Sequence, residues 1–189
     1  MVRRRRYPCD FAELETVLRK GRPSRPVLFE FFLNRTLFDI LLEGVSLPDD
    51  ATLRPYAERA LGFARAGYDH SCLAPLPGFD FAVPERHKES SLSLNEGGLI
   101  SDGRSFDRYR WPDLLAVDFG LIDRLAPWLP EGMKLIPHGP CGVEENAIRI
   151  VGYDRLCYMM ADDPGLAQAI FDRIGAALEG YYREVCAHP

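Results

Sequence analysis

Residues 27–32 read "VLFEFF", and whether that run is a strand decides what kind of chain this is. Five of its six side chains are apolar and most are β-formers, the run is too short for a core helix, and Arg25-Pro26 sets it off from what precedes. The reading is a buried strand. Two further short apolar runs match it, at 70–74 and 134–137, and helical patterns lie between the three. Short buried strands separated by helices imply parallel pairing, in an open doubly wound sheet or in a barrel. Neither the G-x-G-x-x-G fingerprint nor the P-loop pattern occurs, which puts the barrel ahead. A complete (β/α)8 barrel needs ~250 residues. A chain of 189 residues with three strands therefore predicts the α/β class and a partial TIM barrel, its N-terminal half.

The helices around these runs carry their own punctuation. Phe11, Leu14, Val17 and Leu18 recur at helical spacing between Asp10 as N-cap and Gly21 as C-cap. Asn34 can cap a helix through Ile40, Leu41 and Leu42 that stops at Gly44. From about residue 51 to 66, Leu53, Tyr56, Ala57, Ala60, Leu61 and Ala64 share a face, and Gly67 closes the helix. A shorter helix is predicted over 117–126, and another from near Asn146. The clearest runs from an Asp163 cap and Pro164 through Leu166, Ile170, Ile174, Leu178, Tyr181 and Val185. Residues 75–111 are polar and turn-rich, with Ser91-Leu92-Ser93-Leu94 before Asn95-Glu96-Gly97-Gly98 predicting a small inserted hairpin.

Composition excludes several functions. At 47% hydrophobic the chain can bury one good core, so residues 25–189 read as one domain behind an N-terminal segment, 1–24, of basic tail and short helix. A net charge of −5 carries no nucleic-acid footprint, and the Arg3–Arg6 run is a solvated tail rather than a polyanion clamp. No apolar stretch approaches the ~20 residues that cross a bilayer, and none follows the basic run as a signal peptide would require. The expectation is a cytoplasmic protein without nucleic-acid or membrane partners. Five scattered cysteines with no CxxC pair read as small hydrophobes, not a disulfide framework or zinc knuckle.

Longer stretches carry a resemblance. "GYDRLCYMMADDPGLAQAIFDRIGAALEGYYREV", residues 152–185, resembles the segment after a barrel strand in the uroporphyrinogen decarboxylase (URO-D) superfamily, where a helix, a "DDP" turn and a long helix follow one another. "FDRYRWPDLLAVDFGLIDRL", residues 106–125, resembles that superfamily's link into the same strand, and "YAERALGFARAGYD" its earlier helix and turn. These matches span most of residues 25–187 and are specific as a set rather than singly. The resemblance implies the N-terminal part of a URO-D-like (β/α)8 barrel. Two chemistries come with it: cofactor-free decarboxylation of uroporphyrinogen in porphyrin biosynthesis, and methyl transfer from a corrinoid protein to a thiol activated on zinc.

The decarboxylases carry an arginine-rich signature, PxWxMRQAGRYxPEY, after the first strand. Here the sequence is "PVLFEFFLNRTLFDIL", in which Arg35 alone can stand in for one carboxylate-holding arginine. Their aspartate within Ser-Asp-Ile after the next strand has no counterpart in "CLAPLPGFD", where Leu76 lies near its place and Asp80 well beyond it. The methyltransferase-like branch therefore ranks ahead of the decarboxylase. A third reading is a non-catalytic half-barrel that binds a partner or forms a homodimer.

The candidate site is the loop "HGPCGVEEN", residues 138–146, behind the strand at 134–137. Catalytic side chains of a barrel sit at the C-terminal ends of its strands, which makes His138 the first catalytic candidate and Cys141 a substrate contact, beside the plainer readings of a structural histidine and a small loop residue. Glu30 is the second catalytic candidate, because a carboxylate inside the apolar run is costly to bury unless partnered; an internal ion pair is the alternative. Arg35 is a candidate for substrate binding. Glu144 and Glu145 fit helix-start electrostatics, and His70, opening its strand at the opposite end, reads as structural. His138-x-x-Cys141 supplies two zinc ligands where three or four are needed, so no metal is assigned to this segment. Zinc ligands and a corrinoid partner belong to a full-length methyltransferase, and the 189-residue chain alone is expected to be inactive. Its substrate is a small molecule or a tetrapyrrole.

Overall fold

The computed structural model describes residues 7–83 and 98–188. The hairpin expected at 91–98 and the Arg3–Arg6 tail lie outside the described residues, the hairpin but for Gly98. In chain order the elements are α1 (Phe11–Leu18), α2 (Arg35–Leu41), α3 (Arg54–Ala66), β1 (His70–Leu73), α4 (Gly103–Arg108), a 3-10 turn (Leu114–Ala116), α5 (Gly120–Leu125), a second 3-10 turn (Ala126–Trp128), β2 (Lys134–Pro137), α6 (Val143–Val151), α7 (Tyr153–Asp162) and α8 (Pro164–Ala187). They fall into two compact units, one of residues up to 74 together with 119–138, the other of residues 75–118 together with those from 139 onward.

The first unit holds the sheet. β1 and β2 pair in parallel, with His70 opposite Lys134 and Leu73 opposite Pro137, and the His138 amide extends the ladder by donating to the Leu73 carbonyl at 3.1 Å. The chain is thus mixed α/β and mostly helical, with one two-stranded parallel sheet among the described residues. No TIM barrel is formed by them, and the strand expected at 27–32 is absent. Those residues carry no strand pairing and lie over a face of the sheet instead of along its edge. Alternation and register put His70, Cys72, Ile136 and His138 on one face. Phe29 stacks on the His70 ring at 4.7 Å, the Cys72 thiol donates to the Glu30 carbonyl at 3.5 Å, and Phe31 and Phe32 meet His138 edge-on at 6.5 and 5.9 Å. Apolar character is spent on covering that face, and it is spent only in part: Leu28, Phe29, Phe31 and Phe32 stay 44–66% exposed.

The helices of this unit follow the local signals closely. Asp10 and Asn34 cap α1 and α2 by accepting from the Ala12 and Leu37 amides. The helix read as starting near residue 51 begins at Arg54; Asp50 accepts from the Thr52 and Leu53 amides and spends that turn as a cap. Gly67 ends α3 at φ +106°. The end of α1 departs from expectation, since Lys20, not Gly21, takes the left-handed conformation at φ +62°. α3 buries Ala57, Ala60, Phe63 and Ala64, and it presents Gly62 where a Cβ would run into the Phe38 ring of α2. That contact lets the two helices close on the cluster of Phe63, Ala64 and Met133.

In the second unit α8 supplies the spine. Asp163 accepts from the Leu166 amide, Pro164 takes the first turn, and the buried stripe is Ala167, Ile170, Ile174, Leu178, Tyr181 and Val185. From Ile170 onward this is the expected stripe, while Ala167 takes the buried place expected of Leu166. Tyr181 is wholly buried, stacks on Phe79 at 4.2 Å and accepts from the Leu76 amide at 2.9 Å. α6 and α7 pack on α8 and meet at Gly152, whose φ of +91° makes the corner. α7, the turn at 162–164 and the long α8 follow one another directly.

Candidate functional site

Parallel pairing gives the sheet two chemically distinct ends, and a histidine lies at each. At the C-terminal end, His138 is half-buried, held by its backbone bond to Leu73 and flanked by the Phe31 and Phe32 rings. At the N-terminal end, His70 is fully buried between Phe29, Phe63 and Tyr68. Burial lowers its pKa, while the Glu30 carbonyl and the Asp69 charge pull weakly the other way. Neither ring nitrogen of His70 closes a hydrogen bond of normal geometry among the described residues. Its reading as a structural residue opening the strand fits this position.

Glu30 is corrected. Its side chain is exposed, not buried, and its carboxylate accepts from the adjacent Phe31 amide at 2.9 Å. The backbone of 27–32, rather than a strand pleat, sets where it points, so the burial argument that singled it out does not hold. Arg35 opens α2 on the surface, where Asp39 holds its Nε at 2.9 Å and Glu58 its Nη1 at 3.0 Å.

Whereas His138 lies in the first unit, Cys141 belongs to the second. Its thiol is exposed and accepts from Arg149 at 3.4 Å, and its backbone is left-handed at φ +65°. The turn is built by Asn146, whose buried amide donates to the Pro140 and Gly142 carbonyls at 2.6 and 2.9 Å. Glu145 accepts from the Gly142 amide at 2.9 Å, the reciprocal half of a capping box, at the head of α6, which starts at Val143, three residues earlier than expected. The helix-start reading accounts for Glu145. Among the described residues no group of three or more His, Cys, Asp or Glu gathers as a metal site.

Two features escaped the sequence. Asp69, wholly buried beside His70, accepts from Arg25 at 2.7 Å and from the Asp10 amide at 2.9 Å, tying the N-terminal segment to the start of β1. Arg59 lines a cleft of about 250 Å3 with Leu33, Arg35, Phe38, Pro55 and Glu58. The only sequence signal was the helical spacing of Pro55, Glu58 and Arg59, which puts them on one side of α3. No family model, curated protein or solved structure matches this chain.

Proposed function

We propose that the chain is the N-terminal part of a URO-D-like (β/α)8 barrel enzyme of the methyltransferase-like branch, moving a methyl group from a corrinoid protein to a thiol or small acceptor. The observation that carries this reading is the parallel β1–β2 ladder with His138 at its C-terminal end, the end at which barrel enzymes carry out their chemistry. His138 acts there as general acid or substrate contact. Arg35 favours this branch over the decarboxylase, because a guanidinium already held by Asp39 and Glu58 is poorly placed to clamp the carboxylates of a tetrapyrrole.

The test uses the whole product encoded by the transcript, assayed for demethylation of methylcobalamin in the presence of a thiol. We expect turnover that His138→Ala lowers by about 10²-fold or more while the circular dichroism spectrum is unchanged. An equally active variant removes His138 from the site, and cofactor-free release of carbon dioxide from uroporphyrinogen replaces methyl transfer with decarboxylation. A second reading, a half-barrel that binds or dimerises, has its own observation in the exposed apolar side chains of 27–32.

A further inference from the structure

The cleft between α2 and α3 has apolar walls and an unbalanced charge. Leu33, Phe38 and Pro55 supply the walls; Arg35, Glu58 and Arg59 supply the polar lining. Asp39 and Glu58 hold Arg35, and Glu58 also accepts from Arg54 at 3.3 Å. Two guanidinium groups, Arg35 and Arg54, thus take up both carboxylates, and one further positive charge is left over. It sits on Arg59, half-buried and with no carboxylate partner among the described residues. Its field reaches Cys72, which is buried in β1, and Tyr56 on its own helix.

A partly desolvated guanidinium without a counter-charge is costly, and the cost falls when an anion enters beside it. The excess is a single charge, and Glu58 in the wall repels a second one, so a monoanion fits and a dianion does not. The guanidinium fork matches a carboxylate in two parallel bonds. The apolar walls offer nothing to a fully hydrated inorganic anion and bury an apolar body. A space of about 250 Å3 holds a ligand of roughly eight water-sized atoms.

We infer that this cleft is a binding site for a small organic monocarboxylate with an aromatic or branched aliphatic body, its carboxylate on Arg59 and its body on Leu33, Phe38 and Pro55. The site lies wholly within the first unit and does not rest on the barrel reading.

Calorimetric titration of the 189-residue chain with benzoate tests it, with benzamide as the neutral isostere and inorganic phosphate as the anion without a body. The expected result is saturable benzoate binding, at least tenfold weaker binding of benzamide, and no competition from phosphate at equal concentration. Arg59→Gln should weaken benzoate at least tenfold, and Arg59→Lys, which keeps the charge but loses the fork, should fall between. Benzoate and benzamide binding alike, phosphate competing as well as benzoate, or no saturable binding overturns the proposal. The comparison of benzoate with benzamide on the unmodified chain holds even if the Arg59 variants fail to fold. Loss of methyl transfer with intact benzoate binding would count against the proposed function alone.

Discussion

His70 carries the sharpest consequence of a single side chain's surroundings. Its ring is enclosed by Phe29, Phe63 and Tyr68, and burial holds its pKa below the ordinary histidine value near 6.5. The folded state therefore favours neutral imidazole. The stabilisation is fully present above the unfolded pKa and is lost as pH falls through the lower, folded one. Urea midpoints at pH 7.5 and pH 5.0 should show the chain losing stability on acidification, with His70→Phe losing distinctly less. Equal losses would mean that the imidazole is not enclosed as described. The sequence marked His70 as structural from its place at the head of a strand, and that place is where the structure has it. It misjudged Glu30, because burial was inferred from apolar neighbours, and those neighbours turned out to be half in water. Arg59 and the Asp69–Arg25 pair were invisible for a different reason: their meaning depends on which charges meet across elements, and spacing along one chain does not report that.

Helices were legible because their signals are local. Capping side chains, Pro in the first turn, Gly67 in the left-handed region and the 3.6-residue stripe of α8 all act within a few residues of one another. The run at 27–32 was not, since "apolar and β-forming" describes a buried strand and a segment laid across a sheet face equally well, and only the long-range contacts with His70, Cys72 and His138 separate them. The consequence is an exposed apolar surface: Leu28, Phe29, Phe31 and Phe32 together give the first unit a contiguous stretch that water covers poorly. The 189-residue chain should accordingly bind ANS or self-associate in light scattering. Changing both Leu28 and Phe32 to Ser should reduce either signal several-fold without altering helix content. An ANS-silent monomer would contradict the exposure described for this segment.

The whole chain unites a two-stranded parallel sheet with a long crossover, which leaves the first unit after Ala74 and returns to it at Phe119. Parallel pairing requires such a crossover, and a barrel repeats the motif until the first and last strands meet. The α/β class was therefore readable from the alternation of apolar runs and helical stripes, whereas the number of strands was not, because one of the three runs pairs with no strand among the described residues. The proposed enzyme needs further βα units to complete its barrel and to bring its zinc ligands. Sequencing the transcript through the codon for Pro189 tests that directly. The frame should stay open and continue into about six more βα units, with the zinc ligands among them. A stop codon immediately after Pro189 would contradict it.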